Sequence, residues 1–104
     1  MSRPKKALLS DDHAVALADL FRLLGDPTRL KIVVSCLRTP LAVSDIADRL
    51  GLSVSLVSHH LRLLKGARLV RADRQGKQVY YEADDLHVRR MVEDMVTHVA
   101  EHSS

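Results

Sequence analysis

The apolar residues of this 104-residue chain keep a helical spacing as far as Lys65, switch to strand-like runs between Leu69 and Ala83, and return to helical spacing after Leu86. Two changes of period in so short a chain leave room for one domain of helices packed around a single hairpin.

Punctuation residues divide the helical part. Ser10 stands before Asp11 and Asp12 and predicts a helix start, because hydroxyl and acidic groups suit the unpaired N–H groups of a first turn. Leu17, Leu20, Phe21 and Leu24 come next at helical spacing, and Gly25 ends the helix. Asp26 as cap and Pro27 at the first helical position open a second helix. Its Leu30, Ile32, Val33, Val34 and Leu37 make it apolar nearly all round, which predicts a place in the core.

Thr39-Pro40 breaks the chain. A short helix is expected from about Ser44 to Leu50, with Ile46, Ala47 and Leu50 inward, and then a Gly51-Leu52-Ser53 turn. Ser53 caps a helix running to about Lys65 on a buried stripe of Leu56, Val57, Leu61 and Leu64. Leu69 to Ala72 and Gln78 to Ala83 read as strands, joined by a polar tip of Asp73, Arg74, Gln75, Gly76 and Lys77. Leu86 to about Glu101 reads as a helix with Val88, Val92, Met95 and Val99 as its apolar stripe. Residues 1–9 read as a loose basic arm and residues 10–104 as one domain. The order helix, helix, helix–turn–helix, hairpin, helix predicts a mainly α, winged helix-turn-helix fold with a two-stranded β wing and a C-terminal helix available for dimerisation.

Composition narrows the function classes. Hydrophobic residues make up 46% of the chain but aromatics only 3%, so the core is built from Leu, Val, Ala and Ile, which favours helices. A domain of this size buries only about two-thirds of its unfolded surface, so a partner subunit is expected to contribute stability. The formal net charge of +3 suits nucleic acid without requiring it. A lone cysteine, Cys36, excludes an intrachain disulfide and a thiolate metal cluster. No apolar run approaches the ~20 residues of a membrane span, and the N-terminus has no signal-peptide pattern, so the chain is read as cytoplasmic with no membrane partner.

The segment from Val43 to Lys65 has the rhythm of a helix-turn-helix unit, whose second helix enters the major groove of double-stranded DNA. Its outer face offers Ser53, Ser55, Ser58, His59 and Arg62, groups suited to phosphates and base edges. Arg74 and Lys77 at the hairpin tip could reach the minor groove or backbone. The same residues would also serve as ordinary caps and solvated positions; the basic hairpin directly after the two-helix unit favours DNA.

The last helix carries Asp85 and His87 at its start and His98 and Glu101 at its end. His87 and His98 are eleven residues apart, close to three full turns, so they share a face. They also stand about 16 Å apart along the axis, far beyond the ~2 Å bonds of a zinc ion. Two such helices packed antiparallel would bring Asp85 and His87 of one subunit beside His98 and Glu101 of the other. Two oxygen and two nitrogen ligands form a set zinc accepts, and twofold symmetry makes two sites per homodimer. Asp85 must then sit at or before the cap, because residues two apart point away from each other within a helix. His102 lies nearby and could replace Glu101 or take no part. Taken alone, such residues beside an apolar stripe are more often a solvated face.

Three stretches carry a family resemblance: Leu23-Leu24-Gly25-Asp26-Pro27-Thr28-Arg29, Val57-Ser58-His59-His60-Leu61 and Gln75-Gly76-Lys77-Gln78-Val79-Tyr80-Tyr81. With them the chain, from about residue 15 to 101, resembles the ArsR/SmtB family of bacterial metal-sensing repressors. Its final helix resembles the zinc-sensing branch, whose pattern is Asp-x-His, ten residues, then His-x-x-(Glu/His); Asp85, His87, His98 and Glu101 match it position for position. Many members instead bind arsenic, cadmium or lead through cysteines in the first helix of the helix-turn-helix unit. Ala42 and Ser44 stand there, so that site is expected to be absent. Nickel-sensing relatives recruit ligands from longer termini, whereas Met1-Ser2-Arg3 and His102-Ser103-Ser104 offer few.

The resemblance implies a transcriptional repressor whose apo dimer binds operator DNA and is released by Zn(II), with Co(II) a close mimic and Ni(II) disfavoured. It also implies a link from His98 to the end of the recognition helix at Arg68. Arginine has no acceptor, so the link would run through a nearby backbone carbonyl. Alternatives are a winged-helix regulator with a non-metal signal, a Ni(II)/Co(II) sensor, and a metal-stabilised architectural or buffering protein. An enzyme is not expected: no nucleophile–base set has suitable spacing, and four protein ligands leave a metal no open position.

Overall fold

The computed structural model describes residues 8–103; most of the expected arm, residues 1–9, lies outside them. Helices α1 (Asp11–Leu24) and α2 (Pro27–Ser35) open the chain, and a short strand β1 (Leu41–Ala42) leads into α3 (Val43–Leu50) and α4 (Val54–Gly66). Strands β2 (Val70–Gln75) and β3 (Gln78–Ala83) form a hairpin, and α5 (Leu86–His102) completes the chain.

The helix starts obey local chemistry. Ser10 Oγ accepts from the His13 amide at 3.1 Å, Asp26 Oδ2 from the Arg29 amide at 2.9 Å, and Ser53 Oγ from the Leu56 amide at 3.1 Å. α3 has no side-chain cap; its start is held instead by β1, whose Leu41 and Ala42 pair with Tyr81 and Tyr80. It ends at Gly51, which adopts a left-handed φ of 67° while the Leu52 amide donates to the Ala47 carbonyl at 2.9 Å.

The core gathers Ile32 and Val33 of α2, Ile46 of α3, Val57, Leu61 and Leu64 of α4, and Leu69 and Val70 leading into β2. Among the described residues no polar or charged residue is buried, so this core rests on apolar packing.

Several expectations change against the structure. β1 was not foreseen: two residues are too few for a periodic signal. It extends the expected two-stranded wing to a three-stranded antiparallel sheet in the order β1-β3-β2. The expected five-residue wing tip shrinks to Gly76-Lys77, because pairing continues to Gln75↔Gln78. Gly76, with φ of 65°, supplies the turn conformation that side chains resist.

α2 does not sit in the core on all sides, since Leu30 and Val34 are exposed. Leu56 of α4 and Met95 and Val99 of α5 are exposed as well, although all three lie on the expected stripes. The physical reason is the same each time: apolar spacing identifies a face to be covered, and a single chain covers only the faces that its own elements reach.

Two glycines give a paired test. Gly51→Ala places a side chain in the left-handed region and is expected to lower stability by about 1–2 kcal/mol. Gly66→Ala, where an added Cβ meets nothing within 4 Å, is expected to leave stability unchanged or raise it by up to ~1 kcal/mol. Urea denaturation midpoints read both, and equal shifts would contradict the backbone argument.

Candidate nucleic-acid interface and metal centre

α4 buries Val57, Leu61 and Leu64 and turns its other side outward. Ser55, His59 and Arg62 are exposed and Ser58 is half-buried on that side. Ser53 is exposed but its oxygen already caps the helix, which leaves its hydroxyl proton to donate. Val54, at the first helical position, is 52% exposed. A search for polar contacts passes over it, yet an apolar side chain there suits the methyl group of thymine. Arg74 and Lys77 are exposed at the far end of the hairpin. Arg68 forms the corner between α4 and β2, its φ of 61° in the left-handed region and its amide donating to the Lys65 carbonyl at 3.0 Å.

His60 is half-buried on α4, unlike its exposed neighbour His59. Burial holds its imidazole below the ordinary range, opposed by the nearby Asp26 carboxylate and reinforced by Arg29 and His59. The His60 Nδ1 is buried without a hydrogen-bond partner, near the start of α2, where the Arg29 amide donates to Asp26. This proximity of the second helix of the helix-turn-helix unit to the α2 cap was not legible in spacing.

α5 separates the proposed metal ligands into two pairs. Asp85 is the helix cap, as the ligand reading required: its Oδ1 accepts from the Val88 amide at 3.0 Å, leaving its second oxygen available. His87 Nδ1 lies 3.7 Å from Asp85 Oδ1, with the imidazole almost wholly exposed. At the other end His98 and Glu101 are exposed. The His102 ring lies 4.4 Å from that of His98, and His102 Nδ1 lies 2.8 Å from the His98 carbonyl. No group of three or more His, Cys, Asp or Glu gathers to hold a metal within the chain, among the described residues.

Between the two pairs runs an apolar face. A groove of about 340 Å³ is lined by Phe21, Leu24 and Leu30 together with Met91, Val92, Met95, Val96 and Val99. A second, of about 280 Å³, lies between α1 and the start of α5 and is bordered by Asp85 and His87.

Cys36, the one cysteine, is fully buried and its Sγ contacts the Ile32 carbonyl at 3.4 Å. Burial pushes its thiol up to about 12, so it carries no thiolate character at neutral pH.

The chain is similar to known bacterial regulators. The model for "Bacterial regulatory protein, arsR family" matches residues 26–72. The transcriptional repressor SmtB homolog of Synechocystis is 38% identical over 94 residues, covering 90% of this chain and 71% of that protein. The cadmium resistance transcriptional regulatory protein CadC homolog of Staphylococcus aureus is 39% identical over 105 residues, covering 100% and 86%. Among solved structures, the homodimeric winged helix-turn-helix DNA-binding domain of Mb0332 from Mycobacterium bovis superimposes with a TM-score of 0.80 at 29% identity, over 93% of each chain.

Cys36 is expected to resist alkylation by iodoacetamide at pH 7.5 in the folded protein and to react in urea. Labelling of the native protein at the rate of the unfolded one, read by mass spectrometry, would contradict its burial.

Proposed function

Taking as premise that the chain belongs to the arsR family of bacterial regulatory proteins, we propose that it is a metal-responsive transcriptional repressor whose homodimer binds operator DNA and releases it on binding Zn(II), with Co(II) as a mimic. The relatives matched are named as transcriptional regulators, which sets catalysis aside. No helix is long and apolar enough to cross a membrane, among the described residues.

One observation carries the sensing reading: α5 holds a ligand pair at each end and an uncovered apolar face between them. A second copy laid antiparallel along that face would remove exposed Phe21, Met95, Val96 and Val99 from water. The same packing would bring Asp85 and His87 beside His98 and Glu101 of the partner subunit. Dimer formation and ligand assembly are thus one requirement, in keeping with the homodimeric Mycobacterium bovis relative. The donors fit zinc: two imidazoles, and two carboxylates of which Asp85 keeps a free oxygen beyond its capping bond. A bound ion there would supply a cross-link between the ends of two helices.

On DNA, α4 would enter the major groove with Ser53, Ser55, Ser58, His59 and Arg62, joined by Val54, while Arg74 and Lys77 extend the contact from the hairpin. Release is a matter of linkage: the effector must favour the arrangement of the two reading heads that fits the operator less well. We place the coupling of His98 to the reading helix at the backbone around Arg68, whose left-handed corner joins α4 to β2.

His98→Ala is expected to keep apo binding to a duplex selected from a random-sequence library while losing the release caused by zinc. A cobalt titration reads the site directly. Intense ligand-field bands saturating at one Co(II) per subunit and removed by zinc are expected for the unaltered protein, and neither for the variant. Full zinc-induced release by His98→Ala would refute the site. Arg62→Ala is expected to weaken binding to the same duplex and to reduce its salt dependence by about one phosphate contact; unchanged affinity at fixed salt would remove Arg62 from the interface.

A further inference from the structure

Glu82 of β3 is an acidic residue whose side chain is only 19% exposed, and cations from two different elements meet it. Directly across the hairpin, Arg71 of β2 donates to Glu82 Oε1 from Nε at 2.9 Å and Nη2 at 2.6 Å. From the other side, Arg89 of α5 brings Nη2 to 3.9 Å from Glu82 Oε2, while its own Nε is buried without a hydrogen-bond partner. Each carboxylate oxygen thus faces one guanidinium, one on the wing and one on α5.

Arg89 lies one helical turn from the Asp85 cap, and its amide donates to the Asp85 carbonyl at 3.3 Å. It therefore moves with the turn that carries Asp85 and His87. The main chain joins β3 to the α5 cap through Asp84 alone. At that junction the amide of Ala83, the last residue of β3, is tied to the Cys36 carbonyl and the Asp84 amide to the Leu69 carbonyl, each at 3.0 Å. Cys36 and Leu69 are both core residues, so the junction is anchored to the core. The Arg89–Glu82–Arg71 bridge adds a side-chain connection beside that anchor, reaching across β3 to β2. The other long-range ion pair of α5, Glu93 with Arg38, reaches the segment after α2 and not the hairpin.

We propose that Glu82 is a positioning residue that couples the first turn of α5 to the wing, so that a shift at Asp85 and His87 changes the setting of Arg74 and Lys77. What is transmitted rests on the sensing function proposed above; the mechanical link does not. Loss of the bridge also changes the burial of Glu82 and Arg89, which would shift melting temperature whether or not the link transmits motion, so the link is read by coupling and not by melting temperature.

The decisive experiment is a double-substitution cycle on the metal-free full chain, read by amide chemical shifts of Arg74 to Gln78. Arg89→Met is expected to move those resonances in the unaltered protein and to move them at least about threefold less in a Glu82→Gln background. Equal shifts in both backgrounds, or none in either, would overturn the proposal. If Glu82→Gln fails to fold, Arg71→Gln cuts the same bridge on the wing side and replaces it in the cycle. With zinc, Glu82→Gln is expected to bind Co(II) with unchanged stoichiometry and to lose at least about threefold of the zinc-induced fall in affinity for the selected duplex. A full zinc response in that variant would also overturn the proposal. If the unaltered protein binds no metal, the sensing reading fails alone, and the shift cycle still decides Glu82.

Discussion

Everything this chain can offer to a partner is held in place by one apolar seam, where Val57, Leu61 and Leu64 of α4 close against Ile32 and Val33 of α2 and Ile46 of α3. No buried polar residue interrupts it among the described residues. The seam fixes the rotation of α4 about its axis, and that rotation decides which residues reach outward. Ser55, His59 and Arg62 face solvent because Val57, Leu61 and Leu64 cannot. Half-buried His60 lies near the α2 cap at the edge of the seam, its burial holding its imidazole below the ordinary range. Leu69 and Val70 carry the same core into β2, so the wing and the reading helix share one foundation.

A second constraint is the surface that the seam leaves uncovered. A chain of 104 residues cannot enclose all of its own apolar faces, and the deficit is concentrated along α1 and α5. Phe21, Met95, Val96 and Val99 stay exposed there, between the proposed ligand pairs about 16 Å apart. In the proposed function, dimerisation and sensing would both draw on α5, so that whatever alters the packing of two α5 helices would alter the spacing of two reading heads.

Charge is distributed to match. Within the chain, Arg38 pairs with Glu93 and Arg89 with Glu82, tying α5 to the segment after α2 and to β3, and Arg71 pairs with Glu82 across the hairpin, so these cations are occupied by internal pairing. Arg62, Arg74 and Lys77, by contrast, are exposed on the elements that would meet a phosphate backbone. The modest net charge of +3 understates how much positive charge this arrangement directs toward nucleic acid.

The helices, their caps and the hairpin were legible in the sequence because each depends on contacts between near neighbours in the chain. Ser10, Asp26 and Ser53 each cap the helix that begins beside them, Gly51 and Gly76 supply conformations that other residues resist, and the period of the apolar residues names the element. The position of Asp85 at a helix cap was legible too, since two residues two apart cannot share a helical face. Strand β1, the exposure of Leu56, Val34 and Met95, the approach of His60 to the α2 cap and the bridge through Glu82 were not. Each depends on residues distant in sequence, and only packing decides which apolar face finds a cover and which carboxylate meets a second guanidinium. The sequence by itself therefore determined the elements and the chemistry of the groups proposed as ligands, because both depend on residue type and near neighbours; the tertiary structure decided which surfaces stay exposed for a partner, because that depends on which faces packing covers.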